Sequence, residues 1–284
     1  MKQADSKEVR QFWEQNPLSA LETDFTPGTR EFFEWHDAVR KTDVEPFAMH
    51  LYEFDRHAGD QVLDVGCGIG WLCLHFRAGG ADVTGVDLTR RGVELTLERL
   101  RLNGLACTLV QASAEQLPFE TGSFDFVTSA GVLHHTPDTQ SGIDEIHRVM
   151  RAGGRGMISL YYRNFLLSDG LWPLMSFLIR TFMARVPGRG AFHQAHTVND
   201  FVRIYDGDRN PLGKCYTRRE VKAMLRNFAI ERLEAHYFPR RFLPLGRWWP
   251  RWLHRILDRR LGLMIYATVR KPAARDHRRR DFLT

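Results

Sequence analysis

Cysteine is scarce in this 284-residue chain: Cys67, Cys73, Cys107 and Cys215 are the only four, and none forms a CxxC pair. That excludes a disulfide scaffold and a Cys-based zinc module, and a reducing, cytoplasmic setting is expected. Also missing is any run approaching the roughly 18 apolar residues of a membrane span. The best candidate, Leu171 to Ile179, is too short and is followed by Arg180 and Arg185. The opening segment MKQADSKEVRQ is polar and lacks the apolar core of a secretory signal. Basic charge is not spread over the chain either. Residues 237–284 hold 13 Lys/Arg against 3 Asp/Glu, an excess of ten that exceeds the net +6 of the whole chain. A uniformly basic, nucleic-acid-binding surface is thereby excluded. His193 and His196 stand three apart, but no carboxylate or cysteine completes a ligand set, so no metal is expected.

What is present concentrates in Gln61 to Asp87, QVLDVGCGIGWLCLHFRAGGADVTGVD. An apolar run (Val62 to Val65) ends in a turn with Gly66, Gly68 and Gly70, a helix-like segment follows, and a second apolar run (Val83 to Val86) stops on Asp87. Glycines let the turn take positive φ and let a ligand approach the backbone. An acid at the tip of the second strand accepts hydrogen bonds from ribose hydroxyls. A dinucleotide fingerprint needs a third glycine where Trp71 stands. Asp64, two residues before the first glycine, would repel a pyrophosphate and welcome an amino group.

With both acids present, this segment resembles motif I of class I S-adenosylmethionine-dependent methyltransferases. Ala114 to Ser159, AEQLPFETGSFDFVTSAGVLHHTPDTQSGIDEIHRVMRAGGRGMIS, is similar to the ubiquinone/menaquinone-biosynthesis type (methyltransferase type 11) of small-molecule enzyme. The resemblance covers roughly residues 60–160. It implies S-adenosyl-L-methionine as cofactor, with Gly66, Cys67 and Gly68 in the turn, Asp64 near the ligand ammonium, and Asp87 with Leu88 at the ribose. Ser113, Ala114 and Glu115 would lie over the adenine and Ala130 under the methionine part. Ser113 departs from the family, which often has Asp there, so adenine recognition shifts toward backbone groups. Arg40, ending the second N-terminal helix, would pair with the methionine carboxylate.

The expected fold is α/β: a Rossmann-like, seven-stranded, mostly parallel sheet with helices on both faces, an N-terminal helical lid and two helical insertions. Strands are expected near 61–66, 81–87, 106–111, 124–130, 154–161, 228–238 and 262–270. Core helices are expected near 70–79, 90–103, 138–150 and 217–227, preceded by helices near 7–15 and 30–40. The organisation is a lid (1–58), a cofactor-binding core (59–161), a substrate-cap insertion (162–216), the rest of the core (217–271) interrupted by a helical insertion (244–260), and a basic tail (272–284). A helix over Leu171–Val186 would present Leu171, Leu174, Met175, Leu178 and Phe182 on one side.

The implied activity is methyl transfer to a small, lipophilic acceptor. His134 and His135, after the fourth strand, are candidates for a general base, with chamber lining as the alternative. Tyr161 off the fifth strand is a third catalytic candidate. Tyr162, Tyr205, Asn210 and Trp252 are candidates for substrate contact. Residues 248–260 carry an apolar stripe opposite an arginine stripe, which suits a pocket lid or peripheral membrane contact. Nucleic-acid acceptors are not expected: the chain has neither a Pro-Pro-aromatic motif nor a Pro-Cys pair. Left open are a protein methyltransferase, and a cofactor-binding protein of the same fold that catalyses another reaction or only binds. The acceptor atom and the oligomeric state are not set by these residues.

Overall fold

The computed structural model describes residues 4–182, 190–238 and 249–273. Strand and helix alternate from β1 (Gln61–Val65) through α4 (Trp71–Ala78), β2 (Asp82–Asp87), α5 (Arg90–Leu102), β3 (Thr108–Gln111) and β4 (Phe124–Ala130) to α6 (Thr139–Val149) and β5 (Met150–Tyr162). A two-residue β6 (Cys215–Tyr216), α9 (Arg218–Met224), β7 (Ala229–His236), α10 (Arg251–Leu261) and β8 (Met264–Arg270) complete the described elements of the core. Seven strands run in the order β3-β2-β1-β4-β5-β8-β7, and β6 pairs with the end of β5. β1 to β5 are mutually parallel, while β8 is antiparallel to both β5 and β7. The order reverses at β1, which opens a crevice at the carboxyl ends of β1 and β4.

Side-chain alternation divides the sheet between two cores. On β1, Val62 joins one apolar cluster and Leu63 and Val65 the other; on β5, Met157 and Tyr161 face the first while Ile158 and Leu160 face the second. Helices start where short polar side chains can hold free N–H groups. Thr89 opens α5, Asp138 opens α6, and Thr217 with Glu220 forms a capping box on α9.

The N-terminal lid consists of α1 (Ser6–Gln15), α2 (Arg30–Val39), a π-helical turn (Arg40–Val44) and α3 (Ala48–Tyr52); the last two were not anticipated. The insertion after β5 forms α7 (Trp172–Phe182) and α8 (Val198–Tyr205). Residues 183–186 of the expected α7 lie outside the described residues, as do 244–248 of the second insertion and 274–284 of the basic tail. The expected apolar face of α7 is only partly covered: Leu174 and Phe182 are exposed. β5 starts four residues earlier than expected, because its pairing with β4 jumps from Phe124–Met150 to Phe126–Arg155 across a bulge.

Candidate functional site

A cavity of about 270 Å³ opens at the carboxyl ends of the strands, lined by the glycine turn, the tips of β2, β4 and β5, and the lid helices. The turn begins where β1 ends. Gly66 and Cys67 both donate their N–H to the Val86 carbonyl (2.7 and 2.9 Å), which ties it to β2. Gly66 has φ +78°, and a Cβ there would fall 2.3 Å from Val132 Cγ2, so glycine is required both by the backbone and by the neighbour. Gly70, at φ +75°, precedes α4, and a Cβ there would fall 2.9 Å from Thr96 Cα.

Asp87 closes the turn from the other side. Its Oδ2 accepts from Gly68 N–H (2.9 Å), and its Oδ1 accepts from Thr89 N–H (2.8 Å) and Thr89 Oγ1 (2.6 Å). Burial pushes its carboxyl up, against these hydrogen bonds. The lid docks next to it: Glu14 of α1 accepts from the N–H groups of Arg90 and Arg91, both at 3.0 Å, capping α5. Leu88, Ser113, Ala114, Glu115 and Ala130 also line the cavity. Ser113 Oγ accepts from Glu115 N–H (3.2 Å), and Glu115 Oε1 holds Asp138 N–H (2.5 Å), so both side chains brace the wall.

Two expected cofactor contacts sit elsewhere. Asp64 is buried beneath the turn, accepts from Cys73 Sγ (3.3 Å), and is pushed up to about 7 by burial. Alternation on β1 turns it toward α4 rather than into the cavity. Cys67 contributes its N–H to the turn, while its thiol is buried near Thr96 Oγ1 (3.5 Å). Arg40 does line the cavity, but its guanidinium is already paired: Nε and Nη2 bind Glu45 Oε2 at 3.1 and 2.6 Å, over the Trp71 ring at 4.2 Å. Glu45 Oε1 in turn accepts from Tyr266 OH (2.8 Å). The arginine expected at the methionine carboxylate is thus part of a buried network with Glu45 and Tyr266, neither of which was anticipated from sequence.

At the far end of the cavity His134, His135, Tyr161, Tyr205 and Asp206 converge. His134 Nδ1 accepts from the Tyr161 backbone N–H (3.3 Å), so the neutral ring carries its proton on Nε2. Burial, reinforced by His135 and Lys214, holds this imidazole far below its usual range, which favours the neutral ring. His135 is different. Its Nδ1 donates to the Leu212 carbonyl (2.6 Å), and its Nε2 lies 3.2 Å from Asp206 Oδ2. Tyr161 OH donates to both Asp206 oxygens, at 2.8 and 2.9 Å, so the phenol holds Asp206. Trp13 from α1 packs edge-on against His135 at 5.1 Å.

Tyr205 lines the cavity and hydrogen-bonds Tyr237, a residue at φ +69° just after β7 that no sequence pattern marked. Asn210 is fully buried. Its Oδ1 holds Leu212 N–H (3.2 Å), shaping the loop whose carbonyl orients His135. Tyr162 does not line the cavity: as the next residue after Tyr161 it faces the opposite side of the sheet, beneath Arg218. Trp252 is 63% exposed and also outside the cavity, because α10 packs on β7 through Asp258, which holds His236 Nδ1 and Phe238 N–H. The pocket-lid expectation for that helix is therefore corrected.

His134, His135 and Asp206 have metal-ligand spacing, within 4.8 Å of one another. In the structure these groups have other partners: His134 Nδ1 accepts from a backbone N–H, and Asp206 meets a phenol and an imidazole. Among the described charged residues lining the cavity, Glu22, Glu45, Asp87, Glu115 and Asp206 stand against Arg40 alone. Such a wall disfavours phosphate and favours a cationic ligand.

A family model described as a methyltransferase domain matches residues 63–158. The ubiquinone biosynthesis O-methyltransferase of Aromatoleum aromaticum is 38% identical over 109 residues, covering 38% of this chain and 47% of that protein. Methyltransferase GfsG of Streptomyces halstedii is 35% identical over 167 residues, 54% of this chain and 57% of its own. The chain thus spans about half the length of the curated relatives it matches. In structure it is similar to magnesium protoporphyrin IX methyltransferase from Synechocystis PCC 6803, solved with bound SAH, at a TM-score of 0.59 and 16% identity over 94% of this chain and 100% of that one. Residues 63–158 are therefore similar to a methyltransferase domain, carried on a Rossmann-like fold.

Proposed function

We propose that the protein transfers a methyl group from S-adenosyl-L-methionine to a small, lipophilic acceptor by in-line displacement. The observation that carries this reading is the five-to-one excess of carboxylates over guanidinium groups around a cavity that begins at a ribose-type acid, Asp87, and ends at His135. When bound, the cofactor supplies an already activated methyl group on a sulfonium. The chain's own residues supply position and dryness. Gly66 and Gly68 leave room for close approach, and Asp87 Oδ2 keeps a lone pair for a ribose hydroxyl. Trp13 and Val9 of α1 close the cavity, and alignment of this kind is worth on the order of 7–11 kcal/mol. The likeness to small-molecule methyltransferases supports the acceptor class.

The same proposal places the protein in the cytoplasm, supported by four free thiols. Among the described residues no helix is long and apolar enough to cross a membrane. The outward face of α10 nonetheless carries exposed Trp252 and Ile256 beside exposed Arg255 and Arg259, which supports peripheral contact with an anionic lipid surface. The reading is tested by calorimetric binding of S-adenosylmethionine, S-adenosylhomocysteine and NAD, followed by S-adenosylhomocysteine release against a panel of small acceptors. Binding of NAD, or no binding of the first two, would overturn it.

A further inference from the structure

Three of the four cysteine thiols meet beneath the glycine turn. Cys67 and Cys73 are buried and Cys107 is half-buried, and all three are free. Gly85, within β2, leaves the space that two of the sulfurs fill: a Cβ there would fall 3.0 Å from Cys73 Sγ and 3.2 Å from Cys67 Sγ. Cys73, in the first turn of α4, donates to Asp64 Oδ2 (3.3 Å), and its thiol also meets those of Cys107 and Cys67.

Cys107 differs from the other two in its surroundings. It stands just before β3, at an edge of the sheet, where its thiol is partly open to solvent. Arg77 of α4 is fixed beside it, with Nε on the Ala106 carbonyl and Nη1 on the Ala81 carbonyl, both at 3.0 Å. Hydrogen bonding with the Cys73 thiol, helped by the Arg77 charge, draws the Cys107 thiol below its usual range against the effect of burial. Cys73 goes the other way, pushed well up by its contacts with Cys107 and Cys67 and by burial. A half-exposed thiol beside a cation is the reactive kind, and a neighbouring thiol that waits beneath it is a resolving partner.

We propose that Cys107 and Cys73 form an oxidation site for hydrogen peroxide, and that the disulfide they make weakens cofactor binding. The second clause rests on the cofactor reading above. In the first step Cys107 sulfur attacks one peroxide oxygen, the O–O bond breaks, and a sulfenic acid and one water result. In the second, Cys73 sulfur bonds to Cys107 sulfur, and the hydroxyl leaves with the Cys73 proton as a second water. The two thiols give up two protons and two electrons, and the peroxide takes both. The turn feels the change through two routes. The disulfide removes the S–H that Cys73 gives to Asp64, which is left buried two positions before Gly66 without that donor. It also draws the first turn of α4 toward the sheet edge, and α4 follows directly on Gly70.

The test treats the full chain with hydrogen peroxide, blocks the remaining thiols with iodoacetamide and reads the digest by mass spectrometry. A Cys73–Cys107 linked peptide is expected, with Cys215 alkylated. By calorimetry the oxidised protein should bind S-adenosylhomocysteine about tenfold more weakly, comparable to the loss of one hydrogen bond, and dithiothreitol should restore the affinity. Cys107→Ser should bind like reduced wild type and keep that affinity in peroxide. Cys73→Ser removes the resolving thiol, so dimedone should trap the sulfenic acid on Cys107. A Cys67–Cys73 bridge in place of the expected one, no bridge at all, no dimedone adduct in Cys73→Ser, or an affinity unchanged by the Cys73–Cys107 bridge would each overturn the proposal. Reduced wild type that fails to bind S-adenosylhomocysteine would sink the cofactor reading instead, while the bridge is still read directly in the digest.

Discussion

Replacing Asp87 by Asn probes the cofactor end with a minimal change in shape. The carboxylate accepts three hydrogen bonds divided between its oxygens: Thr89 N–H and Oγ1 on Oδ1, Gly68 N–H on Oδ2. An amide has one oxygen. Turned to keep the Thr89 pair, it points its NH2 at the Gly68 N–H, donor against donor. One charge-assisted hydrogen bond is lost, worth about 1.5–3 kcal/mol, and an N–H is left unsatisfied at a cost of about 1–3 kcal/mol. Gly68 is only half-buried, so water recovers part of this, and a net loss of folding stability of about 2 kcal/mol is expected. The Oδ2 lone pair proposed for the ribose disappears at the same time. S-adenosylhomocysteine should therefore bind about 30- to 100-fold more weakly, or roughly 2–3 kcal/mol. Urea denaturation measures the first quantity, and titration calorimetry on protein shown by near-ultraviolet circular dichroism to be folded measures the second. An affinity within threefold of wild type would remove Asp87 from the ligand site and leave it as a brace for the glycine turn and Thr89.

Gly66→Ala should lower stability by about 2–4 kcal/mol, because the new methyl meets Val132 at 2.3 Å and the φ is positive; Val132→Ala in the same chain should recover the steric part in urea melts, and no recovery would refute the contact. Asp64, with its carboxyl pushed up to about 7 by burial, binds a proton more tightly folded than unfolded. Stability should be full below about pH 4 and fall as pH rises through 7, as far as this group decides it, and Asp64→Asn should flatten that slope in urea midpoints between pH 5 and 8. A variant with the wild-type slope would show that Asp64 is not the titrating group. Vesicles rich in phosphatidylglycerol should float with the protein in low salt and lose it when Trp252 and Ile256 become Ala; equal flotation with phosphatidylcholine alone would refute the anionic-surface contact.

The βαβ unit was legible because its signals are local. Two apolar runs, a turn that only glycine allows, and an acid at a strand tip lie within 27 consecutive residues, and the structure puts Gly66, Gly68 and Asp87 on one cavity. Strand–helix alternation likewise foretold a parallel sheet and hence the end at which a ligand binds. The short-range pattern could say that Tyr161 and Tyr162 face opposite sides of β5, since side chains alternate, but not which side holds the cavity. That choice came from the packing of two cores against the sheet. The same alternation sends Asp64 under the turn, where sequence spacing alone placed it beside the ligand.

Long-range pairings were out of reach for a different reason. Glu45 with Tyr266, His135 with Asp206 and Glu14 with the start of α5 join residues 221, 71 and about 76 positions apart. Nothing in a local window records such a distance. The sequence by itself therefore determined the order of the main strands and helices of the core, the turn and the acid at the strand tip, because these follow from backbone sterics and period. Only the tertiary structure decided which partner each histidine nitrogen meets, which arginine is already paired and which aromatic residues wall the cavity. Those properties depend on the partners that folding brings to each polar atom.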